Sequence, residues 1–434
     1  MNNSPVLIYT EKISIRKTYV FDTVFNSFIG LKYEVTQNTD DFYSYRGQKI
    51  AYSNKRFENE ISFFDSYYLN QTSHKPNEHI ITFFENLKKQ NINDIALDFD
   101  IFSVIFYILS RAEEYDSEIT DIHKRFISKN SNFLQSKLID KPVVDIIVEK
   151  FKQKLKSTYP ALLFNSENFS PVLTFDIDIA YEYKCKPILR HIGAYFKDII
   201  NRDFSRMKER TSVLLGSKKD PYDVYDYLES IAKERVYKMI FFFLVKSFGK
   251  YDRAILANKK GFKELVKRIS EFAEIGIHSS YSGGQRHNSM YKEKNILENI
   301  IQKPIFKSRH HFLRLILPQT YIELSKAGIT EDYSLGYADT LGYRAGTTKP
   351  FKFFDAKSNE VLPLKVFPLA YMDGTLNEHL KLTKSESVEK IKEIIENYRK
   401  HNGCFISLWH NDALSDKGIW KNWRSEVFEK TLAK

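Results

Sequence analysis

Asp176 and Asp178 are one residue apart at the end of a short apolar run, Val172-Leu173-Thr174-Phe175. In an extended strand, residues two apart point to the same side. The two carboxylates then share a face, where their ionised forms repel unless a cation lies nearby. That arrangement suits a general base beside a metal ligand. An Asp-x-Asp can also cap a helix, and Asp98-Phe99-Asp100, directly before the apolar run Ile101–Leu109, reads that way. Other apolar runs end in equally capable residues. Ile275-Gly276-Ile277 leads to His278, Ile305-Phe306-Lys307 to Ser308-Arg309-His310-His311, Leu341-Gly342-Tyr343 to Arg344, and Phe405-Ile406-Ser407-Leu408-Trp409 to His410. An imidazole such as His410 can protonate a leaving group at neutral pH. Arg344 can hold a carboxylate or a substrate oxygen through two hydrogen bonds. Tyr281, Trp409 and Asn411, close in sequence to His278 and His410, are candidates for substrate contact.

The elements that would position these residues form an alternating pattern. From about residue 168, short apolar runs alternate with amphipathic helical segments, as βα units do. Strands are expected over 172–175, 239–245, 275–278 and 404–409, with 305–311 extended and a strand end at 342–344. Asp220-Pro221 reads as an N-cap followed by proline, opening a helix to about Glu234. Helices are also expected over 261–273, 292–301, 318–327 and 388–400. In a parallel barrel the carboxyl ends of the strands form the active-site face, so five such ends would converge on one pocket. The expected architecture is α/β, a distorted TIM-like barrel of seven or eight βα units over 166–434, of which about six are visible. Residues 1–165 read as a separate α+β domain, with β-like runs at Val6–Tyr9 and Lys49–Tyr52 and a buried helix at Ile101–Leu109. Nothing in that part suggests a role beyond shaping a cleft or binding a partner.

Composition narrows the function class. Nothing approaches the roughly 18 consecutive apolar residues of a membrane span, and the first residues carry no secretory pattern. Cys185 and Cys404 read as two free thiols, which fits a cytoplasmic protein. The net charge is +11. Its lysines are interleaved with glutamates on helices such as 384–400, so they describe a solvated face and no nucleic-acid surface.

Taken in order, these segments resemble the polysaccharide deacetylase superfamily, the barrels of NodB-homology carbohydrate esterases. Thr174-Phe175-Asp176-Ile177-Asp178 resembles the family's Asp-containing strand end, His278-Ser279 the opening of its His-Ser/Thr-x-x-His motif, and Leu408-Trp409-His410 its Leu-x-His. Arg344 resembles the arginine that steadies the base. The resemblance covers about residues 168–430. It implies Asp176 as base, Asp178 and His278 as ligands of a divalent metal, and His410 as general acid. The metal would be zinc first, with cobalt, nickel or manganese as alternatives, and the substrate an N-acetylated amino sugar in a glycan or its precursor. Ser282 stands where the family supplies a second histidine, and a hydroxyl is a poor zinc ligand. His311 is the preferred substitute, with His310 and His287 as rivals. Two other functions stay open: hydrolysis of other linear or cyclic amides, and a degenerate barrel that binds glycans or scaffolds an assembly without catalysis.

Overall fold

Four short strands open the chain: β1 (Val6–Tyr9), β2 (Tyr33–Thr36), β3 (Lys49–Tyr52) and β4 (Ile61–Phe63). They pair in the order β2-β1-β3-β4, every pair parallel. Parallel neighbours need crossover connections, and the helix Ile15–Phe21, capped by the Ser14 hydroxyl, supplies the first. This part is therefore an α/β arrangement, unlike the expected α+β one. The helix Ile101–Leu109 is buried along all nine residues. Asp100 caps it, accepting the Ser103 N–H at 2.9 Å while also binding Ser66 and Tyr52. Asp98-Phe99-Asp100 thus serves a helix end. The computed structural model describes residues 4–432 apart from 56, 58, 59, 165, 166, 235, 236, 247, 248, 282 and 284–286.

Among the described residues the larger sheet has nine strands. In chain order they are β5 (Ser170–Ile177), β6 (Lys238–Phe243), β7 (Glu274–Ser279), β8 (Lys307–His310), β9 (Glu331–Asp332), β10 (Phe351–Asp355), β11 (Glu360–Val366), β12 (Leu369–Met372) and β13 (Cys404–His410). Their spatial order is β10-β11-β9-β8-β7-β6-β5-β13-β12, and only the β10–β11 pair is antiparallel. Two residues separate β11 from β12, although the two lie near opposite edges of the sheet. So short a link requires the sheet to curl until its ends approach. Leu369 N–H donating to the Leu335 carbonyl at 2.9 Å marks that approach.

Alternation along the strands separates two layers. Val172, Ile240, Phe242, Ile406 and Leu408 point inward and form one apolar cluster with Tyr333 and Leu369. Leu173, Phe175, Met239, Phe241, Phe405 and Trp409 point outward and join the core under the helices. Helices lie between β5 and β6, β6 and β7, β7 and β8, β8 and β9, and β12 and β13. Between β9 and β12 the hairpin β10–β11 replaces a βα unit, so the regular alternation expected from the sequence breaks there. The strand end expected at 342–344 is a loop, with Gly342 at φ +147° and Gly346 at +61°. Asp220 does not cap its own helix, which starts later as Tyr225–Glu234. Its carboxylate instead accepts the N–H groups of Glu182, Tyr183 and Lys184 at 2.8, 2.8 and 3.0 Å.

The parts that carry the two sheets pack against each other. Tyr19 and Phe106 pack on Phe354 of β10 with ring centroids 5.1 and 4.9 Å apart. Asp145 accepts the hydroxyls of Thr347 and Thr348 at 2.6 and 2.7 Å. One continuous apolar core runs through both.

Candidate active site and metal centre

Inward alternation on β5 aligns Thr174, Asp176 and then Asp178 on the face where β7 presents His278. On β8 and just beyond, the same period turns Arg309 and His311 inward and His310 outward. The ligand atoms of Asp178, His278 and His311 lie within 4.8 Å of one another. His278 Nε2 is 3.0 Å from Asp178 Oδ1, and His311 Nε2 is 3.3 Å from Asp178 Oδ2. The far nitrogen of each ring is held by an acceptor: Nδ1 of His278 lies 3.0 Å from the Arg309 carbonyl, and Nδ1 of His311 lies 3.1 Å from Asp252 Oδ1. Such outer contacts fix a tautomer whose Nε2 offers a lone pair. His278 Nε2 and Asp178 Oδ1 are buried atoms with no hydrogen-bond partner. Two acceptors facing each other at this distance call for a proton or a cation between them, and a His₂Asp set with room for water is a zinc-type donor set.

Charge follows the geometry. Burial works against ionisation of Asp178, yet His311 and His278 hold it well below the usual carboxylate range. Burial also opposes a proton on His311, but Asp178 and Asp252 overcome it and lift that pKa to about 9. A cation among the three side chains would take the place of that proton. His310 belongs to neither role. Its N–H donates to Ser334 Oγ at 2.8 Å, and burial pushes the ring down to about 3. Ser282 lies outside the described residues, as does the side chain of His287.

Asp176 is buried beside this cluster, its Oδ2 3.7 Å from His278 Nε2. The arginine beside it is Arg309, with Nη1 3.5 Å from Asp176 Oδ1 and Nη2 donating to Thr174 Oγ1 at 2.8 Å. Arg344 is elsewhere. It donates to both oxygens of Glu114, at 3.0 and 2.5 Å, and to the Gly336 carbonyl, and it does not pair with Asp176. The correction has a simple cause: 342–344 is a loop held against the amino-terminal part, whereas Arg309 lies on an inward position of β8.

β13 pairs with β5 so that His410 stands opposite Asp176. Its Nδ1 lies 2.8 Å from Asp373 Oδ1, and its own N–H donates to Asp373 Oδ2 at 2.7 Å. Burial lowers the imidazole pKa, but fully buried Asp373, with Asp178 and Asp176 beyond it, raises the value well above the ordinary one. Asp373 carries a signal in the sequence, since it ends the run Leu369-Ala370-Tyr371-Met372 as Asp176 ends its own. Asp252 carries none, since it sits in a loop.

These groups open into a cleft of about 370 Å³, lined among others by Asp178, His311, His410, Asn411, Tyr222 and Trp420. His123 and Arg125, from the amino-terminal part, also line it. Asn411 donates to the carbonyls of Ile179 and Tyr222 at 3.1 and 3.3 Å, which binds the rim together. Tyr281 stands in the second layer of the wall, its hydroxyl 3.3 Å from His123 Nδ1 and its ring packed at a tilt against Tyr251, centroids 4.3 Å apart. Trp409 does not reach the cleft. As an outward residue of β13 it is fully buried under the helices, donating to the Tyr371 hydroxyl at 3.0 Å.

A model of a family of unknown function, DUF7033, matches residues 6–160. No curated protein matches the chain. Among solved structures, a Mycobacterium smegmatis protein assigned as a polysaccharide deacetylase is similar at 16% identity, over 63% of this chain and 87% of that one, with a TM-score of 0.40. A polysaccharide deacetylase from Bacillus cereus is similar at 14% identity, over 56% and 80%, with a TM-score of 0.27. The Puue allantoinase is similar at 12% identity, over 56% and 79%, with a TM-score of 0.35. Likeness at this level says nothing of substrate. What the chain itself displays is a mixed α/β fold whose curled nine-stranded sheet gathers an Asp/His cluster able to hold a metal.

Proposed function

We propose that this protein is a metal-dependent hydrolase that removes N-acetyl groups from amino sugars of a polysaccharide or glycan precursor. The observation that carries the reading is the meeting of Asp178, His278 and His311 beside Asp176 and the His410–Asp373 pair, at one cleft. Asp178, His278 and His311 would hold a divalent ion, zinc first, which polarises an amide carbonyl and acidifies a water. Asp176 takes the proton of the attacking water as its oxygen bonds to the acetyl carbon. Arg309 steadies Asp176 in its ionised form, the role the sequence assigned to Arg344. His410, held protonated by Asp373, donates to the nitrogen as the C–N bond breaks, releasing acetate and the free amine. Residues 166–434 are the catalytic unit in this reading, and residues 1–165 complete the cleft through His123 and Arg125. The relevant experiment is zinc titration by calorimetry with turnover of N-acetylglucosamine oligomers and cyclic amides. One ion should bind per chain, with release of a proton at about pH 7.5 because His311 gives up its own. Asp176→Asn should keep zinc binding and lower kcat by a factor of about 10³. Absence of zinc binding points to a non-catalytic barrel, and turnover of cyclic amides alone removes the deacetylase assignment.

A further inference from the structure

The connection from β5 to β6 contains a helical hairpin, Ile188–Ile200 and Phe204–Leu214, whose outer face is apolar. Ile188, Leu189, Ile192, Phe196, Ile199 and Ile200 keep between 47% and 80% of their surface exposed, and Phe204 and Leu215 continue the patch. At 100° per residue these six positions of the first helix fall within an arc of about 120°. The only buried residue of that helix is Asp198, on the opposite side. It pairs with buried Arg210 of the second helix at 2.8 Å, while Tyr195 and Thr211 share a hydrogen bond at 2.8 Å. The hairpin is therefore braced internally by polar contacts and leaves its apolar face without a cover among the described residues. A soluble surface seldom shows so many adjacent large apolar side chains without a partner.

Charge indicates which partner. Residues 184–219 carry ten Lys and Arg against three Asp and Glu, a surplus of seven within a chain of net charge +11. Exposed Lys197, Arg202 and Lys208 flank the apolar face. An apolar helix face edged with basic residues lies in the headgroup region of an anionic bilayer, with the apolar side chains among the acyl chains and the cations at the phosphates. We infer that this hairpin docks the protein on an anionic lipid surface, as an attachment in the plane of the membrane and not a span. No helix among the described residues is long and apolar enough to cross one. The two ends of the hairpin are tied together by Asp220 on the Glu182, Tyr183 and Lys184 N–H groups, and Tyr222, just past its exit, lines the cleft wall. The inference stands apart from the deacetylase assignment.

Flotation of the full chain with vesicles of phosphatidylcholine alone, or mixed with phosphatidylglycerol, tests it. Binding should be confined to the mixed vesicles and weaken with added salt. The double substitution Phe196→Ser with Ile200→Ser, both exposed, should lower the partition coefficient about tenfold or more while the Tm stays within a few degrees. Lys197→Glu with Lys208→Glu should lower it comparably without touching the apolar face. Wild-type protein that stays with the buffer in the presence of anionic vesicles overturns the proposal. So does a wild-type dimer in sedimentation velocity that the serine substitutions dissociate, which would make the face a contact between two copies of this chain.

Discussion

His410 shows how much one neighbour determines. Its ring is partly exposed to the cleft, and both its Nδ1 and its backbone N–H engage Asp373. Because the folded pKa is raised, its stabilising contribution is complete below the unfolded value of about 6.5 and is lost as pH rises through the folded one. In the proposed reaction the same shift would govern chemistry, since a general acid works only while protonated. Asp373→Asn should move the alkaline fall of kcat/KM to lower pH, toward about 6.5, with zinc affinity little changed. An alkaline limb that does not move would remove Asp373 from this role. Asp176 and Asp178 were legible because their spacing matches the strand period. Arg309 was harder to choose, since the run Ser308-Arg309-His310-His311 offers three cationic side chains and only the phase of β8 decides which point inward.

At the scale of elements, β7 lies where the site leaves least room. Gly276 is inward, and a Cβ placed there would meet the Phe242 ring at 2.4 Å and the Lys307 carbonyl oxygen at 3.2 Å. Phe242 in turn supports Arg309, whose guanidinium carbon lies 4.9 Å from the ring centroid. Gly276→Ala should cost about 1–3 kcal/mol in urea unfolding, from overpacking and without backbone strain. It should also lower kcat, because the shifted ring carries Arg309 away from Asp176. An unchanged unfolding midpoint would mean that the neighbouring strands part freely. Helices such as Ile101–Leu109 and Lys384–Lys400 were readable from local patterns, the latter closed by a capping box of Thr383 and Glu386. The hairpin β10–β11 was not, because its place at the sheet edge follows from the pairing of Lys365 and Val366 with Glu331 and Asp332 of β9, 34 residues earlier in sequence.

Across the whole molecule, the amino-terminal part and the curled sheet are joined by a buried charge cluster. Glu114 faces both Arg111 and Arg344, at 2.8 and 2.5 Å, all three side chains at most 2% exposed. Burial alone would raise the Glu114 pKa, but Arg344 and Arg111 bring it below the ordinary value. Its contribution is thus present above the unfolded pKa of about 4.3 and is lost as pH falls through the folded one. Glu114→Gln should cost about 3–5 kcal/mol, since it takes from buried Arg344 the carboxylate it pairs with and leaves Arg111 to Glu113. A loss below about 1 kcal/mol in urea unfolding would show that the two parts do not depend on this contact. The same interface explains Arg344: its place at the end of an apolar run resembled a site residue, yet its partner lies 230 residues earlier in the chain.

The sequence by itself determined the strand-end acids and histidines, their order, and the alternation that turns Asp176 and Asp178 to one side, because these depend on residues adjacent along a single strand. Only the tertiary structure decided that Arg309 rather than Arg344 stands by Asp176, that Asp373 holds His410, that Trp409 is core, and that His123 and Arg125 reach the cleft. Each of those facts depends on which strand lies beside which and on how far the sheet curls, and such long-range pairings leave no local trace in the order of residues.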